Sequence, residues 1–222
     1  MARHLQQEIE KLKSKLLTLA ANAKDAVEKA VKSVDERDAG LAQAVVDGDV
    51  TIDRAEVDLE EDCLKILALY QPVATDLRLI VSVMKINNDI ERIGDLAVNI
   101  AERALFLCTA PPIEAPSDLA EMRTKALAML IGSLDSLVRQ DTKRARAVRT
   151  GDDEVDDLNR QVFREFSAAV RRNPDQVECL LSYLSVGRHL ERIADYATNI
   201  AEDVIYLMEG EIVRHKPTLP QG

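Results

Sequence analysis

Residues 91–102 of the chain read ERIGDLAVNIAE, and residues 191–202 read ERIADYATNIAE, so the chain repeats one stretch after a hundred positions. Nine of the twelve positions are identical. Neither copy contains proline, and the apolar residues recur at helical spacing. At about 100° per residue, the apolar residues fall on one face of a helix and carboxylate and amide residues on the other. In the first copy the polar residues are Glu91, Asp95, Asn99 and Glu102.

The composition favours long helices that pack through aliphatic side chains. Only 3% of the 222 residues are aromatic and there is no tryptophan. No alternating apolar run bounded by turn residues is present, so we expect no strands.

Charge and cysteine content exclude several functional classes. The formal net charge is -10, and no basic stripe interrupts it, which argues against nucleic acid and anionic membrane as partners. The three cysteines show neither metal nor redox spacing, which favours a reducing compartment. Neither a secretory signal nor an apolar run long enough for a membrane span is evident. We therefore expect a cytoplasmic protein without membrane insertion.

The apolar spacing predicts helices that end at recognisable signals. Asp38 and Asp141 are suited to cap the second and fifth helices, and Thr75 with Asp76 is suited to cap the third. Gly48 lies within the second helix and should weaken it locally, by about 1 kcal/mol relative to alanine. The proline-rich stretch 109–116 reads TAPPIEAP and is expected to be a non-helical linker.

The repetition extends beyond the opening stretch and defines the fold class. Gly48, Asp49 and Asp53 recur 103 residues later as a second glycine with two aspartates. Short loops make consecutive helices antiparallel. The prediction is an all-α fold of two tandem three-helix bundles related by internal duplication, with six long antiparallel helices. The predicted boundaries are 1–108 for the first bundle, 109–116 for the linker, 117–215 for the second bundle and 216–222 for a loose tail.

Each unit carries a second acidic row on its second helix. Carboxylates four residues apart, which are neighbours on a helix face, occur as Asp49 with Asp53 and as Asp152 with Asp156. Two interpretations stay open from the residues alone. The rows are either ordinary solvated faces or sites for hard cations, which prefer oxygen ligands.

The residues offer no catalytic constellation. There is no glycine-rich phosphate loop, no Ser-His-Asp arrangement and no cysteine with an activating partner. The Glu-x-x-His pairs typical of di-iron bundles are absent from both motifs. Arg92 and Arg192 are interpreted as structural partners of the neighbouring carboxylates.

Together these features resemble the PhoU family of phosphate-signalling regulators, over nearly the whole chain. In the first half the resemblance rests on the pair Asp49 and Asp53, on Gln71-Pro72, and on residues 75–78 (TDLR) and 91–95 (ERIGD). In the second half it rests on residues 190–195 (LERIAD), 197–203 (ATNIAED) and 210–215 (GEIVRH). The second unit lacks a counterpart of Asp76-Leu77-Arg78, and it has His189 for Asp89 and Asp203 for Arg103, so the two acidic faces should differ in detail.

The resemblance implies multinuclear metal clusters, of Fe, Zn, Mn or Mg, on the acidic faces. The ligands that it implies are Asp49, Asp53, Glu91, Asp95, Asp152, Asp156, Glu191 and Asp195. Asn99 and Asn199 extend the same faces as weaker candidates.

The resemblance also implies a function without catalysis. It points to a cytoplasmic bacterial protein, often a homodimer, that represses the phosphate-starvation response and modulates phosphate uptake. Its implied partners are the ATPase of the phosphate ABC transporter and a sensor histidine kinase. Two alternatives remain: a metal-dependent enzyme or metal store built on the acidic faces, and a purely structural helical scaffold.

Overall fold

The computed structural model describes residues 2–214, and no strand occurs within that range. The predicted tail 216–222 lies outside the described residues. No helix from Ala2 to Glu209 has the combined length and apolar character that crossing a membrane requires. Residues 2–214 form seven α-helices: α1 (Ala2–Glu36), α2 (Ala39–Tyr70), α3 (Ala74–Thr109), α4 (Ser117–Arg139), α5 (Thr142–Thr150), α6 (Asp152–Arg172) and α7 (Val177–Glu209).

The all-α duplicated fold is confirmed, with one departure from six long helices. The second helix of the second unit is divided into α5 and α6 at Gly151. The Gly151 N–H donates to the carbonyl of Val148, three residues back, at 3.0 Å, a tighter turn than the α-helix allows. The corresponding glycine of the first unit, Gly48, interrupts nothing, because α2 is continuous through it.

Two predicted caps form, and one does not. The N–H of Leu41 donates to Asp38 Oδ1 at 2.9 Å, and that of Arg144 donates to Asp141 Oδ1 at 3.0 Å. The prediction that Thr75 and Asp76 cap α3 is wrong. The chain reverses within residues 71–73, so α3 begins at Ala74, before either side chain could cap it, and its N-cap makes no side-chain hydrogen bond.

The linker also begins one residue later than predicted. Thr109 is the last residue of α3, where its hydroxyl donates to the carbonyl of Phe106 at 2.8 Å. Residues 110–116 are not helical, as the prolines require.

The two motif helices, α3 and α7, lie at the centre of the molecule and pack against each other. α1 and α2 cover the rest of α3, while α4, α5 and α6 cover α7. Asp89 on α3 interacts electrostatically with Asp203 on α7, and Arg103 on α3 does so with His189 on α7. The helices are therefore antiparallel and related by an approximate two-fold axis.

Alanine substitutions at two glycines should change the stability of the protein in opposite directions. Gly210 ends α7 at φ +74°, and a Cβ there would collide with the guanidinium of Arg78. We expect Gly210→Ala to lower the free energy of unfolding by about 1–2 kcal/mol through backbone strain at this φ, since the flexible end of Arg78 can move aside. Gly48→Ala is the matched control. A Cβ at Gly48 meets nothing within 4 Å, so we expect a gain of about 0.5–1 kcal/mol.

Urea unfolding of both variants checks these expectations. Equal effects from the two substitutions would contradict the geometry at Gly210.

Candidate metal centre

The structure brings three of the predicted ligands together at the junction of α2 and α3. Asp49 and Asp53 on α2 and Asp95 on α3 each offer an oxygen, and these oxygens lie within 4.8 Å of one another. The helices approach closely at this point, since a Cβ on Gly94 would lie 3.2 Å from Cγ2 of Ile52. The small residue next to Asp95 thus lets the two acidic rows meet.

The geometry of Asp49 fits a bound cation. Its Oδ1 is enclosed and has no hydrogen-bond partner among residues 2–214. Burial, and then the charges of Asp53 and Asp95, raise the pKa of Asp49. An enclosed carboxylate oxygen beside two further carboxylates is costly unless a positive charge or a proton joins them.

Glu91 borders this cluster but is not among the three converging residues. Burial and the charge of Asp95 raise its pKa, and Arg92 opposes the shift. Arg92 lies 3.4 Å from Glu91 Oε2 and 3.3 Å from Asp95 Oδ2, which agrees with the structural role predicted for it. Asn99 is half-buried on the same helix, outside the group of three.

Asn87 is a contributor that sequence reasoning missed. Its side-chain amide donates to the backbone carbonyl of Glu56 at 3.0 Å and to the Glu56 carboxylate at 3.1 Å. Glu56 adds a further carboxylate near Glu91, because the charge of Glu56 raises the pKa of Glu91. The sequence does show an asparagine at an apolar position of the helical repeat in α3, which could have indicated a buried polar contact there.

The second unit places its carboxylates in a related but looser arrangement. Burial and the neighbouring charges of Glu191, Asp152 and Asp156 raise the pKa of Asp195 to about 6. The side chain remains open to solvent, so the shift reflects its position in a concave wall rather than full enclosure. Among the described residues, the group with oxygens within 4.8 Å is that of the first unit.

One substitution makes the two sites chemically different. The hydroxyl of Thr198 donates to Asp152 Oδ1 at 3.2 Å, whereas the equivalent residue of the first unit is Val98, which cannot donate. Asp152 is therefore partly satisfied by the protein, while Asp49 is not.

A cleft of about 730 Å³ opens beside the second site, between α3 and α7. Asp152 and Asp195 form part of one wall, with Thr198 and Asn199. The other walls are Met84, Lys85, Asn88, Asp89, Glu202 and Arg214. Asn199, predicted as a weaker ligand, thus lies with the second carboxylate group.

Buried ion pairs hold this cleft together. Asp203, whose side chain is 2% exposed, lies 3.4 Å from Lys85 Nζ and 3.1 Å from Arg214. Lys85 also lies 5.3 Å from the ring centroid of Tyr206. Arg149 is 3.0 Å from Glu202, with both side chains 10% exposed, and it donates to the carbonyl of Val213 at 3.1 Å. Arg149 and Arg214 thus fasten the segment after α7 to the second repeat, and Lys85 joins α3 of the first repeat to Asp203 on α7.

Asp89 should make stability depend on pH. Burial, and then the charge of Asp203, raise its pKa from 3.8 to about 7 against the opposing effects of Arg214 and Lys85. Because folding raises this pKa, the contribution of the group to stability is present at low pH and is lost as pH rises from about 4 to 7.

We therefore expect Asp89→Asn to stabilise the protein more at pH 8 than at pH 4.5. The difference should be about 3 kcal/mol, because the interval from pH 4.5 to the pKa of about 7 spans about 2.5 pH units and each is worth about 1.4 kcal/mol. Urea unfolding at both pH values measures it, with the exposed Asp58→Asn as control. A gain independent of pH would contradict the assignment.

Tandem three-helix bundles with carboxylate rows at their helix junctions define a class of duplicated, acidic helical-bundle proteins. Residues 16–104 and 119–204 each match the family model described as the PhoU domain. The chain belongs to the PhoU family.

Named relatives match almost the whole chain. The phosphate-specific transport system accessory protein PhoU homolog of Aquifex aeolicus is 41% identical over 97% of this chain and 98% of its own length. The homolog of Pseudomonas aeruginosa is 38% identical over 94% of this chain and 86% of its own. These relatives are named as accessory proteins of a phosphate transport system.

Solved structures agree in fold. The crystal structure of PhoU from Pseudomonas aeruginosa superposes with a TM-score of 0.90 at 36% identity, covering 93% of this chain and 99% of the other. The phosphate transport system regulatory protein PhoU from Streptococcus pneumoniae gives 0.85 at 28% identity, covering 94% and 99%.

Proposed function

We propose that this protein is a non-enzymatic negative regulator of the phosphate-starvation response. It acts in the cytoplasm as an adaptor between the ATPase of the phosphate ABC transporter and a sensor histidine kinase, and so modulates phosphate uptake. The observation that carries the proposal is the match to accessory and regulatory proteins of phosphate transport over nearly the full length of both chains. Long helical surfaces suit an adaptor, which needs contact area more than a reactive group.

We further propose that the carboxylate cluster holds divalent metal, as part of the regulator's structure. Asp49, Asp53 and Asp95 would hold the ion in the first unit, with Glu91 at the border. When bound, it would supply the positive charge that the enclosed oxygen of Asp49 lacks. Oxygen ligands suit Mg and Mn, and Fe and Zn also accept them.

Two further parts of the proposal concern assembly and the second site. We propose that the protein works as a homodimer. In the second unit the ligands would be Asp152, Asp156, Glu191 and Asp195, with weaker affinity because Thr198 already occupies one oxygen of Asp152.

Deleting the gene and measuring phosphate-starvation transcripts under phosphate excess tests the regulatory proposal. Derepression that the wild-type gene reverses is expected. Transcripts that stay repressed in the deletion strain would refute it.

The acidic cluster also supports the rival class, a metal-dependent enzyme or metal store. Elemental analysis of protein purified without added metal, beside an Asp95→Ala plus Asp195→Ala variant, separates these readings. Metal-dependent turnover that the variant loses would favour the enzyme, and an absence of metal from both samples would favour solvated faces. Specific retention of the transporter ATPase or the kinase in pull-downs distinguishes an adaptor from a passive scaffold.

A further inference from the structure

The outer face of α2 carries an apolar stripe that no described part of the chain covers. Val50, Val57 and Leu64 recur every seven residues, so they lie within about 40° of one another around the helix axis. They are 48%, 50% and 51% exposed. These three residues, called the α2 stripe here, extend about 21 Å along the helix.

The same helix in the second repeat shows that the fold does not need apolar residues at these positions. The shift of 103 residues places buried Ile52 and Leu59 onto buried Val155 and Val162, which fixes the register. The same shift places the α2 stripe onto polar residues. These are Asp153, Arg160 and Ser167.

The charges around the α2 stripe indicate what covers it. Besides Asp49 and Asp53, which are assigned to the metal, residues 47–68 contain six carboxylates and only two cations, Arg54 and Lys65, a balance of -4. By the same helical count, Glu56 and Glu60 lie on one side of the stripe, whereas on the other side Glu61 pairs with Lys65 at 3.1 Å. A second copy of α2 would double this negative charge at the interface, whereas a basic helix would neutralise it.

We propose that the α2 stripe is a docking site for a basic amphipathic helix of a partner protein. That helix would present apolar side chains at heptad spacing to the stripe, with lysine or arginine along the edge that faces Glu56 and Glu60. The inference rests on the proposed adaptor function and adds where one partner binds and with what chemistry. Because α6 lacks the stripe, the two repeats are not interchangeable as docking surfaces.

The test grafts the residues of the second repeat onto the first. The variant V50D/V57R/L64S keeps the net charge of α2, since it adds one acidic and one basic residue. Its probe is a labelled helical peptide of about 21 residues, with leucines at heptad spacing flanked by lysines, measured by fluorescence anisotropy. We expect the dissociation constant to rise about tenfold or more. The matched control is Val138→Ser on α4, 58% exposed, which should bind like the wild type.

Each other outcome decides against the proposal. Equal binding by the variant would show that charge alone attracts the peptide. Binding of a peptide with glutamate in place of lysine would contradict the complementarity. A loss of dimer mass by light scattering in the variant would assign the stripe to a second copy of this chain.

Two measurements keep the test decisive if the triple variant does not fold. The single variant V57S, which leaves the net charge unchanged, then replaces it. Amide hydrogen exchange of the wild-type protein, with and without the lysine peptide, should show protection at residues 50–64, and equal protection on α6 would overturn the proposal.

Complementation of a deletion strain with the stripe variant distinguishes a failure of the docking inference from a failure of the proposed function. If deletion derepresses the starvation genes and V50D/V57R/L64S restores full repression, the docking inference fails and the adaptor stands. If deletion changes nothing, the adaptor fails, and the peptide measurements still decide about the stripe.

Discussion

Replacing Arg149 by alanine is expected to lower the free energy of unfolding by about 3 kcal/mol, because the nearly buried carboxylate of Glu202 then keeps only the more distant Arg214, at 3.9 Å, as a partner. The side chains of this ion pair are only 10% exposed, so water replaces the lost contact in part at most. The guanidinium also donates to the carbonyl of Val213, which would lose that hydrogen bond. Urea unfolding with an unchanged m-value measures the loss.

A neighbouring arginine supplies the control. Arg146 lies on the same helix and pairs with Glu209 on α7 at 2.5 Å, but these side chains are 36% and 34% exposed. Arg146→Ala should cost less than about 1 kcal/mol, since partly exposed pairs contribute little.

A rescue variant separates a missing partner from lost packing. Arg149→Met with Glu202→Leu removes both charges together and should recover most of the loss. Failure of the rescue, together with a small effect of Arg149→Ala alone, would show that the pair does not fasten the segment after α7.

The second prediction with a large expected effect concerns the affinity of the first site for metal. We expect Asp49→Asn with Asp95→Asn to weaken Mn²⁺ binding at the first site by about 100-fold or more, since two of three converging carboxylates lose their charge. Isothermal titration calorimetry on protein stripped with chelator measures the affinity. Asp47→Asn with Asp58→Asn, two exposed carboxylates of α2, removes the same charge and should leave the affinity within about twofold.

The metal-free variant should also be more stable than the metal-free wild type. Removing the crowded charges relieves repulsion of a few tenths to about 1 kcal/mol, and thermal unfolding in chelator detects it. A variant that binds Mn²⁺ as well as the wild type would refute the metal proposal. A variant that loses both binding and stability would show misfolding instead, and Asp53→Asn alone would then be measured.

The duplication made the fold predictable, because a repeat of more than a hundred residues constrains every helix twice. N-caps such as Asp38 could be predicted from the neighbouring sequence, since an N-cap depends on residues within one helical turn. The break between α5 and α6 at Gly151 could not be predicted in this way, because Gly48 has the same position in an unbroken helix. Local propensity does not distinguish the two glycines, and only the surrounding packing does.

The candidate site was predictable in part for a similar reason. Helical spacing placed Asp49 beside Asp53, and it placed Asp95 on the polar face of its own helix. That the two rows meet depends on the close approach of α2 and α3 at Gly94. The pairing of Arg149 with Glu202 is harder still to predict from the sequence, since it joins residues 53 positions apart through packing that no local pattern encodes.

The antiparallel contact of α3 with α7 indicates how a duplicated chain of this kind could evolve from a single repeat. The charge of residue 203 acts on residue 89, and that of residue 103 acts on residue 189, which is the reciprocal pattern of an isologous contact between identical subunits. A single-repeat protein would expose this face of its motif helix, and a second copy would offer the surface that covers it. The tandem chain therefore has the internal geometry of a homodimer joined end to end. Once joined, its halves could differ where identical subunits could not, as Asp89 and His189 now do.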